Sequence, residues 1–220
     1  MEMNDQDVVQ FLRNDPQFFE RNPALLTEIV LPSQHGGVAV SLVERQQLAQ
    51  RDKIRVLESK LSELLQFGEE NDAISERVHR LSLGLLAARN FDALVATVTH
   101  NLSEDFQVPH VALRLWAKPL DEGAADAEEF GPVDEELRSW ADGLLSPYCG
   151  HRPGLDVADW FGETNAPLKS FAMVALRGEK TFGLLVMGSE DEQRFYPEMG
   201  TLYLKRIGEL VSVALLRHLS

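Results

Sequence analysis

Apolar residues near the start of the chain come in pairs: Val8-Val9, Phe11-Leu12, Phe18-Phe19, Leu25-Leu26 and Ile29-Val30. Pairs at this spacing predict two or three short amphipathic helices over residues 5–31. Asn14-Asp-Pro16 and Asn22-Pro23 set a capping side chain just before a proline, a helix-start pattern. A unit this short buries too little to be stable alone, so it is expected to dock on another surface or on a second chain. Residues 32–41, with Pro32 and Gly36-Gly37, read as a linker.

From residue 42 the pattern changes. Ile54, Leu57, Leu61 and Leu64 alternate spacings of three and four, which is the a/d seam of a coiled coil. Ile74, Val78, Leu81, Leu85 and Ala88 keep the same alternation but out of phase with the first set. Upstream the seam weakens to Gln47 and Gln50. One helix over residues 42–88 would be roughly 70 Å long. Charged flanks such as Arg51, Asp52, Lys53, Arg55, Glu58 and Lys60 favour pairing of this helix with a second copy.

The remainder reads as one α+β domain. Asn90-Phe-Asp92 caps a helix to about Phe106, with Leu94, Val95, Val98 and Leu102 on one face. His110-Val-Ala-Leu-Arg-Leu-Trp116 alternates with period two and predicts a strand. Residues 121–136 hold eight acids and no base, as expected of a solvated loop, with a short strand near Phe130. A helix is expected over Glu135–Leu145 and a short helical turn over Asp156–Phe161. Ser170–Leu176 and Thr181–Met187, joined by Arg177-Gly-Glu-Lys180, predict a hairpin. A last helix starts at Pro197 and carries Leu202, Ile207, Leu210, Val211, Ala214 and Leu215 on a broad apolar face. The domain plan is 1–40 for the short helices and linker, 41–89 for the long helix, and 90–220 for the α+β domain.

Charge narrows the function classes. The 220 residues hold 21 basic and 35 acidic side chains, for a formal net charge of −14. The excess runs through every section: 2 basic against 6 acidic in residues 1–40, 5 against 6 in 41–70, and 14 against 23 in 71–220. A nucleic-acid binder needs a dense basic surface, and none is suggested. The same balance disfavours an anionic membrane surface. No stretch approaches the 20 or so apolar residues needed to span a bilayer, and the acidic start is unlike a signal peptide, so a cytoplasmic location is expected.

Sequence resemblance sharpens the fold. Phe171–Leu216 resembles the second half of GAF domains: an apolar strand, a Gly turn, Phe182-Gly-Leu-Leu-Val-Met-Gly-Ser189, Arg194-Phe195, then an amphipathic helix. Over nearly its full length the chain is similar to a bacterial family known as domain of unknown function 484. The segments that carry this are Phe11-Leu12, Pro16-Gln-Phe18-Phe19, Pro23-Ala-Leu25-Leu26, Ser41-Leu-Val-Glu-Arg-Gln46, Tyr148-Cys-Gly150, Phe182-Gly-Leu-Leu185, Gly188-Ser-Glu-Asp191 and Arg194-Phe195-Tyr-Pro197. The resemblance implies a GAF-like central antiparallel sheet between helical layers behind a helical N-terminus. Helices 71–88, 91–106 and 197–218 would cover one sheet face, and residues 121–165 the other. It implies no established activity.

The chemistry that GAF-like folds can host is mostly absent. Asn165-Ala-Pro-Leu-Lys169 lacks the acidic pair of cyclic-nucleotide binders, and Tyr148-Cys-Gly-His151 lacks the flanking motif of bilin binders. One cysteine cannot complete an internal disulfide redox cycle. There is no Gly-x-Ser-x-Gly elbow and no phosphate-binding Gly motif, and the six His residues (35, 79, 100, 110, 151, 218) lack metal-ligand spacing. Cofactors are left unassigned. Cys149 reads either as a small, half-buried residue in a Gly-flanked turn or as a thiol activated by His151 and Arg152, the enzyme alternative.

The candidate ligand site lies elsewhere. His110, Arg114 and Trp116 share the strand face opposite Val111, Leu113 and Leu115. An Arg in a strand interior needs an anionic partner. That is a carboxylate from 121–165 (Asp156, Asp159 or Glu163) or a small acidic ligand. Trp160 and Phe161 would lid the same space. The candidate binding set is therefore His110, Arg114, Trp116, Cys149, His151, Trp160 and Phe161. The overall expectation is a regulatory or scaffold protein, homodimeric through Ile54, Leu57, Leu61 and Leu64. It would take a small molecule in the pocket, or a protein partner on residues 1–31 as a pure adaptor.

Overall fold

The computed structural model describes residues 4–28, 42–151, 154, 157–162, 167–197 and 200–220. The expected linker at 32–41 lies outside them. The chain divides into two compact units, Met1–Ser62 and Glu63–Ser220, and the division falls within one long helix.

The first unit opens with three short helices: α1 (Asp5–Asn14), α2 (Phe18–Arg21) and α3 (Leu25–Glu28). A capping box starts α1. The Asp7 amide donates to the Asn4 side chain at 2.9 Å, and the Asn4 amide donates to the Asp7 carboxylate at 3.0 Å. Phe11, Phe18 and Phe19 meet edge to face at 5.5 and 5.4 Å, and Arg21 pairs with Asp15. The Asn22 expectation is corrected. Its side chain donates to Phe18 O at 2.9 Å, so it closes the end of α2 instead of opening α3. Likewise Gln17, with no side-chain cap, precedes α2. No side chain of α1 is buried, and Val8, Val9 and Phe11 stand exposed.

α4 (Leu42–Ala87) is the long helix, and its two apolar stripes have different fates. Ile54, Leu57, Leu61 and Leu64 are 52, 55, 58 and 65% exposed. Leu81 and Leu85 are buried in the core of the second unit, with Val78 and Ala88 packed against it. The phase change between Leu64 and Ile74 thus precedes the part of the helix that packs into the core of the second unit beside α5 and α7. At Gly84 a Cβ would sit 2.8 Å from the Thr97 Cγ2, so the small residue lets α4 close on α5 (Phe91–Glu104).

The second unit is built on four antiparallel strands: β1 (His110–Leu115), β2 (Tyr148–Gly150), β3 (Ser170–Arg177) and β4 (Thr181–Ser189), in the order β1-β4-β3-β2. Arg114 lies opposite Leu184 and Leu115 opposite Gly183. Every residue of β4 is buried. Leu113, Leu115, Val174, Leu176, Leu185 and Met187 face α4, α5 and α7 (Leu202–Leu216), whose Leu94, Val98, Ile207, Val211 and Leu215 complete that core. Phe171, Met173, Leu184 and Val186 face the opposite way, under Leu137 and Ala141 of α6 (Glu135–Gly143), Val157, Trp160 and Phe161. The sheet therefore lies between two covering layers. The α6 end is pinned by Arg177, which donates to the carbonyls of Ala141, Asp142 and Leu144 at 3.0, 2.8 and 3.0 Å.

Three expectations need correction. No strand forms near Phe130. Residues 122–130 carry two 3-10 turns, Glu122–Ala124 and Glu128–Phe130. The Phe130 ring lies 5.1 Å from Phe91, which brings this acidic stretch around to the helical side of the sheet. Tyr148-Cys-Gly150, read as a turn, is the edge strand β2. α7 begins at Leu202, five residues after Pro197.

α7 crosses β3 at Gly208, where a Cβ would lie 2.3 Å from the Val174 Cγ1. Gly208→Ala is expected to lower unfolding free energy by about 1–3 kcal/mol through overpacking, despite the higher helix propensity of Ala. Urea denaturation followed by circular dichroism checks this, and unchanged or raised stability would contradict the close packing.

Candidate functional site

Arg114 occupies the interior of β1 and is only 8% exposed. A guanidinium so placed must be hydrogen-bonded or it would not be tolerated. Its Nη1 donates to Leu113 O at 3.0 Å, and its Nη2 donates to the Glu128 carboxylate at 2.8 Å. The guanidinium also lies over Trp160, 5.1 Å from the ring centroid. The carboxylate partner is therefore Glu128, within the expected stretch 121–165. It is not Asp159, and Asp156 and Glu163 lie outside the described residues.

Around Arg114 runs a groove of about 470 Å³ along the outer edge of β1. Its floor is Pro109–Arg114. One wall is Val95, Thr99 and Ser103, spaced four apart on one face of α5. The other is Glu128, Glu129 and Asp159–Gly162. The Phe161 ring stands edge-on to His110 at 6.1 Å. The His110 Nε2 is 3.8 Å from the Glu190 carboxylate. His110, Arg114, Trp160 and Phe161, four of the seven expected binding residues, thus line one groove.

The other three lie elsewhere. The Trp116 indole donates to Thr181 O at 2.9 Å and has the Arg138 guanidinium 5.9 Å from its ring. The Cys149 side chain is buried in the core on the helical side of the sheet, opposite Ala172. His151 is exposed; its ring nitrogens lie 3.4 Å from Lys169 O and 3.7 Å from Glu192. The centre of the sheet face expected to hold the pocket is filled by Leu137, Ala141, Phe171, Met173, Leu184 and Val186. The opening lies at the strand edge instead, because a residue-by-residue alternation describes faces and is silent about edges.

The groove offers hydrogen-bonding backbone, carboxylates and aromatic rings. Burial pushes the Cys149 thiol above its ordinary pKa, so the nucleophilic thiolate is disfavoured at neutral pH. Among the described residues no group of three His, Cys, Asp or Glu side chains could hold a metal ion. Among the described residues no helix is long and apolar enough to cross a membrane. A second groove, of about 540 Å³ and almost wholly apolar, runs between α4 and α7, where Leu86 and Val213 are largely exposed. It was not anticipated from sequence, since it needs two helices to be placed side by side.

Two outcomes follow for the site's residues. Arg114→Ala is expected to cost about 1–3 kcal/mol, because it removes two charge-assisted hydrogen bonds and the packing on Trp160. Glu128→Gln should cost under about 1 kcal/mol, because that carboxylate is largely solvated; denaturant titration of both variants checks the asymmetry. For Cys149, iodoacetamide at neutral pH should label the native protein far more slowly than the urea-unfolded chain. Raising the pH should speed native labelling, since deprotonation lies above the ordinary thiol range. Equal rates for native and unfolded protein would contradict its burial.

Comparison with known proteins places the chain. It matches the family described as Protein of unknown function, DUF484, over residues 1–220. It is 28% identical over 210 residues to the uncharacterized protein YigA of Salmonella typhimurium (strain LT2), covering 94% of this chain and 88% of that one. Identity and coverage are the same for the Escherichia coli (strain K12) protein of that name. Among solved structures, it is similar to the GAF domain of a phosphoenolpyruvate-protein phosphotransferase from Coxiella burnetii. That match has 13% identity and a TM-score of 0.49, over 66% of this chain and 93% of that one. It is also similar to the GAF domain of the potassium sensor histidine kinase KdpD from Escherichia coli. There the identity is 19% and the TM-score 0.41, over 65 and 93% of the two chains. With the family match spanning every residue from first to last, the chain belongs to the family of proteins of unknown function DUF484.

Proposed function

We propose that the chain is a cytoplasmic regulatory module built on a GAF-like domain. It self-associates through the seam of α4 and takes its regulatory occupant in the groove along β1. The observation that carries this reading is the convergence of His110 and Arg114 of β1 with Trp160 and Phe161 of the Ala158–Phe161 turn on one open groove. Trp160 and Phe161 pack on the core of that side with part of their surface and line the groove with the rest, giving it the mixed aromatic and polar lining suited to binding.

The seam supports the self-association half. Ile54, Leu57, Leu61 and Leu64 each expose more than half their surface, and each would contribute roughly 1.5–3 kcal/mol on full burial. Within the second unit, the groove between α4 and α7 is also almost wholly apolar. The enzyme alternative has no support from Cys149, which is buried and away from the groove. An adaptor role for residues 1–31 is a second reading, favoured by the exposed Val8, Val9 and Phe11 on α1.

Sedimentation at tens of micromolar should give a dimer for the wild type and a monomer for L57E/L61E with an unchanged circular dichroism spectrum. A monomeric wild type would remove the self-association half. For the groove, a thermal-shift screen of acidic metabolites, nucleotides and peptides should yield binders whose effect is lost in Trp160→Ala. A screen in which every hit acts equally on that variant would remove the groove half.

A further inference from the structure

The hydrogen-bond pattern of β1 defines what its groove can hold. The Trp116 amide donates to Phe182 O of β4 at 2.9 Å, which sets the phase of the ladder. By the two-residue period, His110, Ala112 and Arg114 turn their amides and carbonyls toward β4, and Val111 and Leu113 turn theirs away from the sheet. Among the described residues, Leu113 O is capped by Arg114, whereas the Val111 amide, Val111 carbonyl and Leu113 amide have no partner. β1 is the end strand of the sheet, so these three groups face the groove.

Exposed strand edges are usually blunted by a charge, a bulge or a covering segment. Here the covering is partial. The turn Glu128–Phe130 and the Arg114 side chain occupy the later half of the edge, and the stretch from His110 to Leu113 lines the groove, with His110 and Val111 half-buried and Ala112 and Leu113 each 6% exposed. Four residues of strand span about 13 Å at roughly 3.3 Å each. The walls are unevenly charged. Glu128, Glu129 and Asp159 line the groove, and its buried cation, Arg114, is already engaged by Glu128 and Trp160. Glu129 and Asp159 have no cationic partner among the described residues.

We propose that the occupant of this groove is an extended, basic segment of another protein, which adds to β1 as a fifth strand. This rests on the reading of the groove as the regulatory site and names its partner. Main-chain hydrogen bonds to Val111 and Leu113 supply the docking, and Lys or Arg side chains reach Glu129 and Asp159. A second copy of β1 is disfavoured as the occupant, because it would bring the same carboxylates against themselves.

The test uses the full chain and three probes: the peptide Lys-Val-Lys-Val-Lys-Val, its Glu-for-Lys counterpart, and citrate as a small anion. In amide NMR titrations the basic peptide is expected to shift the Val111 and Leu113 amides and slow their exchange, and the acidic peptide to do neither. Val111→Pro deletes one outward donor while leaving the β4 ladder intact, a substitution that edge strands accept, and it should weaken the peptide at least about tenfold. E129K/D159K, both at exposed or half-exposed positions, should weaken it by a similar factor and keeps the test decisive if Val111→Pro is unstable. Peptide binding that leaves the Val111 and Leu113 amides unprotected overturns the proposal. So does protection that grows with protein concentration without peptide, which would identify a second copy. If citrate shifts His110 and Trp160 while the basic peptide does not, this inference falls and the groove reading stands. If no probe perturbs the groove, both fall.

Discussion

Burial of β4 on both faces is the constraint from which the rest of the second unit follows. All nine of its residues are buried, and it is paired along both edges, with β1 on one side and β3 on the other. A strand in that position needs two covering layers, since water can satisfy neither face. The helical layer comes from α5, α7 and the later part of α4. The thinner layer comes from α6, the Ala158–Phe161 turn and the Trp and Phe side chains around it. Close approach is secured where bulk would prevent it, at Gly84 between α4 and α5 and at Gly208 between α7 and β3.

Two consequences reach beyond the core. Completing the core of the second unit uses the second apolar stripe of α4, Leu81 and Leu85 with Val78, whereas the first, Ile54 to Leu64, is more than half exposed. One helix thereby carries both a core-packed stripe and an exposed apolar one. The sheet itself stops at β1. The segment after that strand folds into 3-10 turns instead of returning as another strand, and Leu120 and Ser220 tie it to the chain's last residues through backbone bonds of 2.9 Å. The free edge and its groove are the residue of that choice.

Much of this was legible in the residues. Period-two alternation from His110 to Trp116, the hairpin around Gly178 and the cap at Asn90 each depend on local chemistry, and each is present at its expected place. What was missed depends on distant neighbours. Tyr148-Cys-Gly150 is too short to show any alternation, and becomes a strand only because β3 lies beside it. Phe130 sits among acids that suggest solvent, yet its ring is held by Phe91 from another element. The need of Arg114 for an anion was readable, and its choice of Glu128 was not, because a turn had first to bring that carboxylate beside β1. Cys149 and His151 stand two apart in sequence, and the strand sends one inward and leaves the other in solvent.

Residue-resolved amide exchange of the unliganded full chain probes the β1 edge most directly. Alternating rates are expected along the strand: slow at Ala112 and Arg114, which donate to β4, and faster by about a hundredfold or more at Val111 and Leu113, which face the groove. Uniformly slow exchange from Val111 to Arg114 would mean that the edge is already covered, and would contradict the groove as an open site.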